Sequence, residues 1–483
     1  MLFNSIEFMV FLPIVFLLYW FVFRPRKLQN LFLIVASYIF YGWWDWRFLF
    51  PIVLTSFCSY TSGLLVYHYK ENRRTQKVIS ASNIIFNLLI LSVFKYYNFF
   101  MENLQGLFQS IGYQLDWVTL DIILPVSISF YTFQALSYTI DVYQKKICPT
   151  RDPIEFFVYI SFFPQLVAGP IERATNLLPQ FQKDRHFDYA RAVDGSRQIL
   201  LGFYKKLVIA DNCGDTVNML WNSYADLSGI NLFALGILFT FQVYCDFSGY
   251  SDIAIGCARL FGINLIQNFN VPYLSRSIPE FWRRWHISLM SWFRDYVYFP
   301  LGGSRCSTWK IYRNILIVFA VSGLWHGANW TFVAFGVYNA LLIILWRVFA
   351  SSTISNGIIA HDTVLPSVKE IFQVLITLFF VIVGCIIFRA ENLTQAFGYL
   401  FHMFTTIGSD WHLDIAKRML MFGIIPLIIM EYLQRDKQHI LQFPAWGIFR
   451  YRAVRWFIYL GLASAIFIFD YSGKSQEFIY FQF

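Results

Sequence analysis

Apolar stretches long enough to cross a lipid bilayer recur along this chain, and short clusters of lysine and arginine separate many of them. A run of about 20 apolar residues matches the hydrocarbon thickness of a membrane when coiled as a helix. In lipid, backbone polar groups must be satisfied within the protein. The chain is therefore expected to be an all-α polytopic integral membrane protein. Of its 483 residues, 57% are hydrophobic and only 14% charged, whereas a soluble protein carries about 25% charged residues. Aromatic residues make up 20%, including 29 Tyr and 16 Trp, which suits interfacial aromatic belts. The length accommodates roughly ten to twelve spans in one membrane-embedded domain, 1–483. Within it, N-terminal spans are expected over 1–118, a core over 119–350 and C-terminal spans over 351–483.

The net charge of +9 does not point to nucleic acid, because the basic residues sit between apolar runs, where orientation signals belong. No nucleic-acid partner is expected. The seven cysteines are scattered without a C-x-x-C pair, so neither a zinc site nor a disulfide framework is expected, and no metal is assigned. Ile6 to Phe23 has no Lys or Arg before it and no small-residue cleavage site after it, and reads as an anchor. Basic clusters follow at Arg24, Arg26 and Lys27, at Lys70, Arg73, Arg74 and Lys77, and at Lys145, Lys146 and Arg151. They place the N-terminus outside and the clusters in the cytoplasm. Glu155 to Arg173 is broken at Pro164 and at Gly169-Pro170 and flanked by basic residues, so it reads as re-entrant. Gln198 to Leu220, with Lys205, Lys206, Asp211 and Asp215, is expected to span facing inward, and Ser351 to Ser367 to form an outside loop.

Three stretches carry candidate chemistry. The first is SGLWHGANWTF, Ser322–Phe332, near the centre of an apolar run from Ile315 to Trp346. His326 lies 13 residues beyond Arg313, about 20 Å along a helix axis and so near mid-membrane. An ionisable group there is a functional candidate. The competing reading is a neutral imidazole satisfied by a carbonyl or by Asn329, serving helix packing. Gly323 and Gly327 let another backbone or a substrate come close.

The second is FWRRWHISLMSWFRDYVYFPLGGSR, Phe281–Arg305. As one helix it gathers Trp282, Trp285, Leu289, Trp292, Phe293 and Tyr296 on one face, with His286 at its edge and Arg283, Arg284, Arg294 and Asp295 opposite. It reads either as an interfacial amphipathic helix or as a platform whose Arg283, Arg284 and Arg305 meet the phosphates of a cytoplasmic cofactor. The third is YCDFSGYSD, Tyr244–Asp252, expected to be a broken helix lining a cavity or a polar lock between helices. There is no H-E-x-x-H, Walker A or G-x-S-x-G motif.

Together these stretches resemble the membrane-bound O-acyltransferase family, and within it the alginate-type acetylating branch. The resemblance is carried by LPVSISFYTFQ (Leu124–Gln134), FPQLVAGPI (Phe163–Ile171), YCDFSGYSDIAIG (Tyr244–Gly256), RRWHISLMSWFRDYVYFPLGG (Arg283–Gly303), SGLWHGANWTF and the terminal FIYFQF (Phe478–Phe483). It implies a helical bundle with re-entrant segments and a funnel meeting a cytoplasmic tunnel. It implies that His326 is the essential histidine and His286 its partner. The implied donor is acetyl-CoA and the implied acceptor a hydroxyl of an exported polysaccharide, reached directly or through a periplasmic acetyltransferase-like partner. The implied setting is the bacterial cytoplasmic membrane. Arg389 and Glu391, in FRAEN, match a further family stretch of unassigned role. A D-alanyl transfer protein of teichoic acids is the alternative within the family. A polysaccharide transporter is the alternative outside it, although the repeated halves typical of transporters are not seen.

Overall fold

Two of the long helices begin where the sequence supplies a side-chain cap. Asn72 accepts from the Thr75 N–H to open Arg73–Leu91, and Ser367 with Glu370 forms a capping box that opens Val368–Arg389. The computed structural model describes residues 1–114, 119, 124–167, 169–349, 357–361, 363–406, 408, 418–443, 447–470 and 478–479. Part of the expected outside loop over Ser351–Ser367 and most of the terminal FIYFQF lie outside the described residues.

Among the described residues all regular structure is helical, and six helices are long and apolar enough to cross a membrane: Trp46–His68, Arg73–Ser110, Gly229–Leu260, Trp330–Phe349, Val368–Arg389 and Arg452–Phe469. Ile6–Val22 and Leu420–Leu433 are shorter apolar helices. This is fewer than ten to twelve because several apolar stretches form short or interrupted helices. Ile128–Tyr143 has only 16 residues yet is buried almost throughout, and Pro153–Ser161 stops after 9.

The chain divides into two compact units. The first comprises Met1–Ala192 and Cys257–Ile266. Its interior includes a polar knot in which Asn83 Nδ2 donates to Thr139 Oγ1 at 2.8 Å and Asn87 Nδ2 to the Asn83 carbonyl at 2.9 Å. These bonds satisfy amides that would otherwise be costly to bury. The break at Pro164 is enclosed by protein: Phe163 packs on Phe11, Phe40 and Phe261. Gln165 Nε2 donates to the Tyr159 carbonyl at 2.7 Å and the Phe163 N–H to Ser37 Oγ at 3.0 Å. A Cβ at Gly169 would lie 2.3 Å from Gln165 Cα, so this turn requires glycine.

The second unit comprises Val193–Gly256 and Gln267–Phe483. Here the expectation of a broken helix at YCDFSGYSD is corrected: Gly229–Leu260 is continuous over 32 residues. Gly249 serves helix packing instead. A Cβ on Gly202 would lie 2.5 Å from the Gly249 carbonyl oxygen, and one on Gly256 would lie 2.5 Å from that of Gly195. Two glycine pairs, spaced two turns apart on each helix, thus bring the backbones together, as small residues do between membrane helices. The close approach carries the buried Tyr204–Ala210 turn, with Lys205 and Lys206, against the acidic residues of the long helix.

Gly249→Val is expected to destabilise the protein by about 1–3 kcal/mol through overpacking, read as a lower melting temperature of the detergent-solubilised protein. Gly106→Ala, where a Cβ meets nothing within 4 Å, should leave the melting temperature unchanged or raise it slightly.

Candidate active site

The apolar run around His326 is a hairpin. Thr308–His326 and Trp330–Phe349 are separate helices, and His326 is the last residue of the first. Placing His326 at the midpoint of one continuous run is thereby corrected, because Gly327 and Asn329 reverse the chain there. Asn329 caps the second helix by accepting from the Thr331 N–H at 3.0 Å, and its Nδ2 donates to the Glu391 carbonyl at 2.8 Å. Its amide is committed to the turn and not to His326. A Cβ at Gly323 would lie 2.2 Å from the Phe332 carbonyl oxygen, and one at Gly336 would lie 2.1 Å from that of Phe319. The glycines therefore bring backbone close to backbone.

His326 is buried at 4% exposure. Its ring contacts Trp325, Phe335 and Phe388 at centroid distances of 5.1, 6.2 and 5.3 Å. It lines a largely apolar pocket with about 490 Å³ of space not filled by atoms, together with Tyr273, Trp282, Trp285, Phe335, Asn339 and Phe388. Asn339 Oδ1 accepts from the Trp282 indole at 3.2 Å, which fixes that wall.

His286 reaches the interior by a different route from the one its sequence position suggests. Phe281–Arg305 is not one helix: Ile278–Arg284 ends, and Ile287–Phe293 begins with His286 as its N-cap in a left-handed conformation, φ 45° and ψ 52°. A non-glycine residue there is strained by about 1–3 kcal/mol and persists only when its surroundings hold it. The holding group is Asn268. Its carbonyl accepts from the Ile287 N–H at 2.9 Å, and its Oδ1 lies 3.0 Å from His286 Nδ1. The imidazole, at 1% exposure, packs between Phe247 and Trp325 at 4.7 and 5.8 Å. Trp325 touches both histidines and so joins them.

The three arginines do not share one environment. Arg283 and Arg305 are exposed, whereas Arg284 is buried and pairs with Glu280 at 2.9 Å. Glu280 also pairs with Arg276, which reaches Glu370 at 3.1 Å. Arg389 donates to Asn218 Oδ1 at 3.0 Å and stacks over Trp221, beside the Phe388 that touches His326. The FRAEN stretch thus closes the end of the hairpin.

A second pocket, with about 470 Å³ of space not filled by atoms, has a more polar lining than the first. Lys205 pairs there with Asp252 at 3.0 Å and Glu431 at 3.7 Å, and Tyr244 donates to Glu431. Beside it Lys206 bridges Asp211 and Asp246 at 2.7 and 2.9 Å. YCDFSGYSD is accordingly a polar lock that also lines a cavity. Rings of Tyr244, Tyr273 and Trp285 pack between the two pockets, Tyr273 stacked on Trp285 and Tyr244 tilted against Tyr273. Sequence reasoning missed Asn268, Glu280 and Glu431. Glu431 was detectable as a lone carboxylate in an apolar helix; Asn268, in a loop, carried no comparable signal.

Residues 39–388 match the family described as MBOAT, membrane-bound O-acyltransferase. The chain is also 36% identical to a probable alginate O-acetylase of Azotobacter vinelandii, over 92% of this chain and 86% of that protein. The chain belongs to the membrane-bound O-acyltransferase family. It is 30% identical to a peptidoglycan O-acetyltransferase of Helicobacter pylori, over 100% and 98% of the two chains. With a teichoic acid D-alanyltransferase of Streptococcus thermophilus it shares 30% identity over 46% of this chain and 56% of that protein. The protein is thus a multi-pass membrane O-acyltransferase.

In this acyltransferase the buried charges must remain compensated. Lys206→Met leaves Asp211 and Asp246 facing each other without a cation, and should cost about 3–5 kcal/mol. The expected result is loss of the monodisperse folded peak on size exclusion, with partial recovery when Asp246→Asn is added.

Proposed function

We propose that this acyltransferase moves an acetyl group from cytoplasmic acetyl-CoA to a hydroxyl of an exported, alginate-like polysaccharide, directly or through a periplasmic acetyltransferase-like partner. In this reading it works in a bacterial cytoplasmic membrane with its N-terminus outside. The observation that carries the reading is His326, a buried imidazole at the end of its helix, lining an aromatic pocket and joined to a second histidine through Trp325. The relatives that acetylate polymers over nearly the whole chain support the acetyl donor over a D-alanyl one.

The chemistry follows from the groups present. A hydroxyl attacks a thioester poorly while it keeps its proton, and a positioned base contributes about 10²–10⁴ in rate. His326 takes the hydroxyl proton as the oxygen bonds to the thioester carbonyl carbon. The carbon–sulfur bond then breaks, and the departing sulfur takes the proton from the imidazolium. The products are the acetyl ester and the CoA thiol, with the imidazole restored. His286 either orients the thioester or shares the proton. The charged nucleotide of acetyl-CoA stays in the cytoplasm. Arg283 and Arg305 meet its phosphates there, and Arg284, held by Glu280, fixes the helix that presents Arg283. The thioester arm alone enters the protein.

His326→Ala is expected to insert normally and to lower O-acetyl groups on exported glycan by at least about 10², measured by acetate release from purified polymer. Normal acetylation in a strain whose sole copy is this variant would remove the enzymatic role of His326. Replacing acetyl-CoA by an aminoacylated carrier protein in proteoliposomes should give no transfer.

A further inference from the structure

The Asn268 side chain makes four polar contacts, and they determine where the hydrogen on His286 sits. Nδ2 donates to Ser251 Oγ at 3.2 Å. Oδ1 meets the Ser288 backbone N–H at 3.4 Å, Ser288 Oγ at 2.9 Å and His286 Nδ1 at 3.0 Å. A backbone N–H can only donate, so the amide atom facing it must be the oxygen. An amide oxygen can only accept, and Ser288 Oγ, 3.4 Å from the same ring nitrogen, gives its one hydrogen to that amide oxygen, so Nδ1 carries its own hydrogen. In a neutral imidazole the other nitrogen then holds the lone pair. The main chain braces the arrangement: the Ile287 N–H donates to the Asn268 carbonyl and the Asn270 N–H to the Arg284 carbonyl, at 2.9 and 3.0 Å. The left-handed conformation of His286 is what turns its ring to this amide.

We infer that Asn268 is a positioning residue that holds His286 as the Nδ1–H tautomer, turning the Nε2 lone pair to the reacting groups. This rests on the reading that the two histidines carry acyl transfer, and it decides between the two roles left to His286. A neutral ring with its lone pair at Nε2 accepts a proton; it does not donate a hydrogen bond to the thioester oxygen. When Nε2 takes up a proton from the His326 side, the Nδ1–H bond to Asn268 is kept, and the amide oxygen stabilises the resulting imidazolium. Asn268 also lines the polar pocket, so the residue that sets the tautomer faces both sides of the histidine pair.

Two measurements separate this inference from the catalytic reading beneath it. Solid-state NMR of ¹⁵N,¹³C-histidine-labelled protein in proteoliposomes, with His286→Asn identifying the resonances by difference, reports the tautomer without any turnover. Nδ1–H in the native protein and a mixture of tautomers in Asn268→Ala are expected. Nε2–H in the native protein, or an unchanged tautomer in Asn268→Ala, overturns the inference. The second measurement is turnover of labelled acetyl-CoA. Asn268→Ala should lower kcat by about 10–100-fold with KM for acetyl-CoA unchanged. Asn268→Asp keeps an acceptor for Nδ1–H and should recover most of that loss. Its carboxylate favours the protonated ring, so the acid limb of the pH–rate profile should move to higher pH. A purely structural role predicts that a buried Asp does no better than Ala and moves no limb, and that result also overturns the inference. If the tautomer behaves as expected while neither histidine variant alters turnover, the acyl-transfer reading fails and the clamp stands.

Discussion

A charge inside a membrane protein has to find its counter-charge there, and the second unit is organised around that requirement. Lys205 and Lys206 sit side by side in the buried Tyr204–Ala210 turn, at 6% and 1% exposure. Each is answered by two carboxylates, Lys205 by Asp252 and Glu431, Lys206 by Asp211 and Asp246. Removing one partner from such a knot costs far more than the knot contributes, because the remaining charge is stranded. The ion pairs therefore matter less as a source of stability than as a fixed register between helices. The glycine pairs Gly202–Gly249 and Gly195–Gly256 make that register reachable by letting the backbones touch. The polar pocket is the space left beside this knot.

The second constraint is the separation of the two cavities. Tyr244, Tyr273 and Trp285 pack into an aromatic partition, with Tyr244 lining the more polar cavity and Tyr273 and Trp285 lining the apolar His326 cavity. His286 sits behind this layer, tied to the polar side through Asn268 and to His326 through Trp325. Acyl transfer needs two chemically different substrates to meet while bulk water is excluded, since water would otherwise take the acyl group. Two pockets divided by rings, with His326 lining the apolar one and the His286 partner Asn268 lining the other, suit that need. His286 is held in its left-handed conformation by surrounding hydrogen bonds that over-determine its position.

Much of this was legible in the sequence, and the failures have physical causes. Hydropathy identified the helical class, and the cost of an intramembrane histidine singled out His326. Periodicity failed at Phe281–Arg305, because a helical wheel assumes one unbroken helix and the pattern carries no sign of a left-handed turn at His286. At Gly249 the sequence left a break and a polar lock both open; glycine permits either, and only the opposing Gly202 decides for a packing site in a continuous helix. The apolar run at His326 hid a reversal for a related reason, since both arms of a membrane hairpin are equally greasy. Asn268 was invisible because its importance lies in contacts 17 to 20 positions away. The family motifs, by contrast, brought His286 and His326 forward together, and the structure joins them through one indole.

The account depends on the cavity beside His326 being where the acyl group is handed over. The most direct measurement is a structure of the intact protein in a lipid nanodisc with a thioether analogue of acetyl-CoA bound. The acyl carbon should lie in the pocket bounded by Trp282, Trp285 and Phe388, within about 3–4 Å of the His326 ring or of a water it holds, with the nucleotide at the exposed arginines. An analogue whose acyl end stops elsewhere, with the His326 cavity filled by a lipid tail, would contradict it.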